Sequence, residues 1–141
     1  MNGPSPHFDW SEFACHDYMS TAYPEDLRET RAVVLANELE RLRAWLSYSL
    51  GRDCPLFLTS VFRTMAYNAA IGGKPNSQHL SGRAADVPCP HGCTYDRFRE
   101  GVLAVAHEPD SKTRYLRFYP NQGFVHLDTR PAKTLTEETG E

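Results

Sequence analysis

The apolar positions change period along the chain, and each change marks an element. Over residues 24–50, Val34, Leu35, Leu39, Leu42, Leu46 and Leu50 follow helical spacing, while Glu38, Glu40, Arg41 and Arg43 fall mostly on the other face. The pattern predicts one long scaffold helix, with Pro24 in its first turn and Gly51 as its stop. Residues 56–63 are rich in β-formers behind Pro55 and read as a core strand that delivers Arg63 at its C-terminal end. A short helix over residues 64–71 is closed by Gly72-Gly73, and residues 84–87 form a small-residue strand ended by Pro88. Phe98, Val102, Leu103 and Val105 predict a second helix over residues 94–107, with Thr94 as N-cap. Residues 115–119 and 123–129 then alternate on either side of Pro120-Asn121-Gln122, the composition of a β-hairpin.

At the ends the pattern is weaker. Phe8, Trp10 and Phe13 in the first 24 residues suggest an aromatic clasp on the core, and residues 131–141 are polar and acidic, as in a frayed tail. The elements add up to an α+β fold: one domain over residues 1–130, with a small, mainly antiparallel sheet, flanking helices and a polar tail over residues 131–141.

Composition narrows the function. A chain of 141 residues, 40% of them hydrophobic, buries a core without needing disulfides. A formal charge of −3 offers no general attraction to nucleic acid or anionic membranes, and no apolar run reaches membrane-spanning length. The N-terminus lacks the basic and apolar regions of a secretory signal, so Cys15, Cys54, Cys89 and Cys93 are expected as reduced thiols in a monomer. Cys89-Pro90-His91-Gly92-Cys93 has unusual spacing for a metal site, and His7, His16, His91 and His107 are given no role there.

The chemistry concentrates in Ser77-Gln78-His79-Leu80-Ser81-Gly82-Arg83-Ala84-Ala85-Asp86-Val87. His79 lies among small residues that leave room for an ion. Asp86, in an apolar strand, is costly unless paired or metal-bound. His126 and Asp128 alternate on one strand and share a face. His79, Asp86 and His126 make a three-ligand set with an open fourth position, as catalytic zinc uses, although the residues alone leave satisfied structural side chains equally open.

Taken with Thr59-Ser60-Val61-Phe62-Arg63-Thr64, Tyr67-Asn68, Gly72-Gly73, Tyr119-Pro120 and Phe124-Val125-His126-Leu127-Asp128, that stretch resembles the M15 zinc peptidases from about Phe8 to Arg130. The closest likeness is to the branch of D-Ala-D-Ala carboxypeptidases and phage endolysin-like enzymes that cleave peptidoglycan peptides. The resemblance implies an M15/Hedgehog-like fold with Zn²⁺ at one sheet edge, held by His79, Asp86 and His126. It also implies Arg63 beside the metal, binding a substrate carboxylate or the developing oxyanion, and Tyr119 near the substrate, with Ser77 and Gln78 either orienting ligand or substrate or hydrogen-bonding their own loop.

The chain departs from that pattern in two places. Many M15 enzymes carry a general base three residues before the last histidine ligand, and that position is Gly123 here. Asp128 is then the first substitute, as base or as the acceptor that fixes the His126 tautomer, with His107 a distant third. Val61-Phe62 stands where a Gly-Tyr pair is common. The expected activity is zinc-dependent hydrolysis of cell-wall stem peptides, as endopeptidase or carboxypeptidase. With no signal peptide, release by a partner such as a holin, or carriage in a virion, is expected. The competing expectation is a non-catalytic zinc-containing binding or virion module.

Overall fold

The computed structural model describes residues 2–141. Its sheet is organised by one alternation. Leu116 and Phe118 of β2 (Tyr115–Tyr119) and Val125 and Leu127 of β3 (Phe124–Asp128) are buried, with Ala85 and Val87 of β1 (Ala84–Pro88) beside them. The intervening residues therefore share the opposite face, where Tyr115, Arg117, Tyr119, Phe124, His126 and Asp86 stand. The strand order is β1-β3-β2-β4, antiparallel across the first two pairings and parallel between β2 and β4 (Thr136–Thr139). The expected α+β fold with a small sheet and flanking helices is the fold observed, with one parallel pairing added.

The apolar face of the sheet joins a core shared with α2 (Val33–Leu50) and α4 (Tyr95–Ala106). Leu35, Leu39, Leu42 and Leu46 of α2 and Phe98 of α4 are almost wholly buried, and each such side chain contributes about 1.5–3 kcal/mol on leaving water. Gly101 sets how closely α2 and α4 approach, since a Cβ there would lie 2.7 Å from the Trp45 ring. Gly51 ends α2 in the left-handed conformation, with φ 68°, as the sequence predicts. Before α2, Glu25–Leu27 is a 3-10 turn and Arg28–Ala32 a π turn, so the long helix is regular only from Val33. The N-terminal clasp is present: Phe8, Phe13 and Tyr23 are buried in mutual contact, and α1 (Trp10–Phe13) is closed by an Asp9 and Glu12 capping box.

Three local expectations are corrected. Residues 56–63 form no strand, and their backbone pairs with β1 only at the bridge between Ser60 and Asp86. Their amides are spent on three separate segments, Thr59 on Asp86, Phe62 on Phe13 and Arg63 on His79, which ties the site together but makes no ladder. The C-terminal segment, expected to fray, supplies β4: Thr136 donates to the Arg114 carbonyl and Gly140 to that of Phe118. Without it the β2 edge would present unpaired backbone groups. Finally, Glu38 is buried, on the inner side of α2. Its Oε1 accepts hydrogen bonds from the Thr113 amide and from the Ser111 and Thr113 hydroxyls, fixing the loop that leads into β2.

Candidate metal centre and its cleft

Three elements deliver the predicted ligands. His79 lies in a tight turn after α3 (Met65–Ala70), in which Gly82 donates to the His79 carbonyl and Arg83 to that of Gln78. Gly82 has φ 72°, and a Cβ there would meet the Tyr23 hydroxyl at 2.4 Å. That hydroxyl in turn donates to the Gly82 carbonyl at 2.7 Å, so the aromatic clasp holds the ligand loop. Asp86 and His126 are direct register partners on β1 and β3. The ligand atoms of His79, Asp86 and His126 lie within 4.8 Å of one another, the one such group of His, Cys, Asp and Glu side chains among the described residues.

The hydrogen bonds around the rings show which atoms face inward. His79 Nδ1 lies 2.7 Å from the Val61 carbonyl oxygen, which can only accept, so this nitrogen carries the proton and Nε2 turns its lone pair toward Asp86 Oδ1 at 3.2 Å. His126 Nε2 lies 2.8 Å from Asp128 Oδ2, leaving Nδ1 facing Asp86 Oδ1 at 3.1 Å. Two imidazole lone pairs and a carboxylate oxygen thus converge with no hydrogen of their own between them. Only a cation reconciles the three, either an added proton or a metal ion, and nitrogen and carboxylate donors of this kind suit a divalent transition metal. The other oxygen of Asp86 accepts from Arg63 at 3.2 Å.

The charge states agree with that reading. Burial opposes ionisation of Asp86, but its bonds with His126 and His79 outweigh burial and hold the carboxyl far below the usual range. For His126, burial disfavours the imidazolium, yet Asp128 and Asp86 together raise the pKa above its ordinary value. Asp128 is likewise opposed by burial and held down by Arg130 and His126.

Asp128 is wholly buried. Its two oxygens accept from Arg130 at 2.8 Å each, and Oδ2 also meets the outer nitrogen of His126. Of the two roles open to it, the geometry is that of the acceptor fixing the His126 tautomer, since the carboxylate stands on the far side of the ring from Asp86. His107 pairs with Glu137 at 2.7 Å and does not line the cleft. Gly123 has φ 75° in the β2–β3 turn and donates to the Tyr119 carbonyl, a conformation that favours glycine over an acidic residue.

Arg63 stands beside the centre, as expected, but three of its five N–H groups are engaged, by Ser60 Oγ, Asn68 Oδ1 and Asp86 Oδ2. Ser77 Oγ accepts from the His79 amide, and Gln78 Oε1 accepts from Ser81, so both stabilise the ligand loop as well as line the cleft. Tyr119 stacks on Phe124, with ring centroids 4.4 Å apart, and forms part of the wall.

The cleft encloses about 750 Å³, and among the lining residues that sequence reasoning missed are Arg117 and Glu138. Arg117 was within reach, because a hairpin centred on residues 120–123 puts position 117 opposite 126. Glu138 was not, because its place depends on the parallel pairing of β4. Asp86 and Glu138 are the carboxylates that line the cleft. All four cysteines are free, and Cys89 Sγ approaches the Cys93 carbonyl, its thiol pushed up to about 11 mainly by burial.

A His-Asp-His set at an open polar cleft, with Asp86 and His126 on paired antiparallel strands and His79 in a turn, is a donor set that suits a metal-dependent hydrolase. A family model described as Peptidase M15 matches residues 6–128, and the chain belongs to that family of metallopeptidases. No curated protein matches the chain. The matched span carries Arg63 and all three ligands and stops ten residues before Glu138.

Proposed function

We propose that the chain is a zinc peptidase that hydrolyses peptide bonds in the stem peptides of bacterial peptidoglycan, as a D-Ala-D-Ala carboxypeptidase or a phage endolysin-like endopeptidase. The observation that carries the metal-dependent part is the convergence of His79 Nε2, Asp86 Oδ1 and His126 Nδ1 at the cleft floor. The substrate class rests on the family and on the motif likeness. Zinc held by those atoms would supply Lewis acidity for a substrate carbonyl and for water.

The chain's own residues do the rest. Val61 and Asp128 fix the two imidazole tautomers, and Arg63 holds the second oxygen of Asp86 so that the first points inward. Two N–H groups of Arg63 remain for a substrate oxygen. Tyr119, Phe124 and Arg117 wall the cleft on the hairpin side, where an extended peptide can lie across the strands. Digestion of muropeptides before and after chelation tests the proposal: cleavage lost with the metal and restored by zinc is expected, and undiminished cleavage without metal overturns it. An enzyme of this kind acts on the wall after release from the cell that makes it, or from a virion.

A second reading is favoured by one observation. With glycine at 123 and Asp128 turned away toward Arg130, neither position offers a carboxylate as the usual base, as a non-catalytic zinc-containing binding module would allow. Such a module binds zinc and shows no turnover with any muropeptide, which the same digestion detects.

A further inference from the structure

The register of the sheet places four residues in one row across its polar face: Asp86 of β1 opposite His126 of β3, His126 opposite Arg117 of β2, and Arg117 opposite Glu138 of β4. Register partners point the same way, so the row runs from the metal ligands to an ion pair at the far wall of the same cleft. Arg117 Nη1 and Glu138 Oε2 lie 3.4 Å apart, with side chains 34% and 46% exposed. The Arg117 guanidinium also sits 5.6 Å from the centre of the Tyr119 ring. Asp86, Arg63 and Arg130 are tied to partners around the ligands, and Lys74 is a single exposed ammonium at the rim, whereas Arg117 and Glu138 bring opposite charges side by side at the opening and have spare hydrogen-bonding capacity.

We infer that Arg117 and Glu138 form a subsite for an amino-acid head group that carries an ammonium and a carboxylate on one carbon, presented by a long substrate side chain next to the bond that is cut. Such a head group is a dipole of the same length as the ion pair. Docked antiparallel to it, the carboxylate meets Arg117 and the ammonium meets Glu138, and neither protein charge loses its partner. Glu138 stands two strand spacings from His126, about 10 Å, which the side chain of a diamino diacid spans from a peptide lying over the metal ligands. Arg117 lies within the span matched by the family and Glu138 beyond it, so the pair joins a β2 residue of the matched span to the chain's C-terminal strand. The inference rests on the peptide substrate proposed above.

The test uses the full-length chain, treated with chelator so that no turnover occurs, and calorimetric titration with three peptides that differ at one residue: diaminopimelate, lysine or alanine. The diaminopimelate peptide is expected to bind about tenfold more tightly than the lysine peptide, the gain of one charge-assisted contact, and the lysine peptide more tightly than the alanine peptide. Arg117→Gln removes the first difference and spares the second. Glu138→Gln, which keeps the backbone pairing of β4, removes the preference for lysine over alanine. Equal affinity of the wild-type chain for all three peptides overturns the subsite, as does a variant that weakens all three alike, the mark of a structural role. Zinc-loaded turnover separates the two proposals: cleavage without the ordering sinks the subsite alone, and the ordering without cleavage sinks the peptidase reading while the subsite stands.

Discussion

The two walls of the cleft are built on opposite principles. On the ligand side the functional groups are buried or mostly buried and tied outward: His79 to the Val61 carbonyl, His126 to Asp128, Asp86 to Arg63, and Asp128 to Arg130. On the hairpin side Arg117 and Glu138 are about a third to a half exposed, and Tyr119 is only half-buried. The first wall fixes the direction of the inward-facing lone pairs, which metal coordination requires. The second leaves charges in water, where each pair is worth little by itself but can be read by an incoming ligand. Rigidity and recognition are thus divided between β1–β3 and β2–β4 of one sheet.

Perturbing the rigid wall should have the largest effect. His79→Ala removes a ligand and opens a hole in a buried site, so zinc measured in the purified protein by elemental analysis should fall below stoichiometry and muropeptide cleavage should vanish. Cleavage retained by this variant would remove His79 from the centre. Next comes Asp128→Asn, which keeps the shape but alters the hydrogen bonds to His126 Nε2 and Arg130. Zinc affinity should drop by about 10- to 100-fold in a chelator competition, because the outer hydrogen bond orients the ligand. A variant that binds zinc normally but loses all turnover would instead make Asp128 the base.

Gly82→Ala tests the support beneath the same wall. The position is left-handed and the methyl group would meet the Tyr23 hydroxyl, so a loss of about 1–3 kcal/mol in denaturant unfolding is expected. Stability equal to wild type would mean that the loop relaxes at no cost.

Acidity gives a smaller effect with a definite sign. In the metal-free chain the His126 pKa is raised from 6.5, so its charged form stabilises the fold at pH below the unfolded value, and that contribution is lost as the pH rises through the higher folded value. Metal binding needs the neutral ring. The increase in melting temperature on adding zinc should therefore be larger at about pH 8 than at about pH 6, where a proton competes for His126. Asp86, depressed in the fold, stays ionised at both and does not contribute to the difference. A zinc-induced shift that is the same at both values would contradict this assignment of the inner nitrogen.

Much of the ligand side was legible in the chain. His79 and Asp86 belong to one contiguous motif, His126 and Asp128 share a face by simple alternation, and the small residues around His79 marked a place with room for an ion. The hairpin and both major helices followed from period and from caps at Gly51 and Thr94, because those are local properties of the backbone. The segment over residues 56–63 misled for an equally physical reason. β-forming composition records a preference for extended backbone and burial, not which partner takes the hydrogen bonds, and here the partners are three different segments.

The sequence by itself determined the elements, the metal-ligand residue types and the faces they occupy, since periodicity and caps act over a few residues. Tertiary structure alone decided the orientation of Asp128 toward the outer nitrogen of His126 and Arg130, the use of Arg63 to hold Asp86, and the burial of Glu38. It also decided that the polar tail becomes β4. All four of that strand's side chains are exposed, so no apolar pattern marks it, and it forms because the β2 edge offers unpaired backbone groups. That pairing carries Glu138 into register with Arg117 and completes the row that begins at the metal ligands.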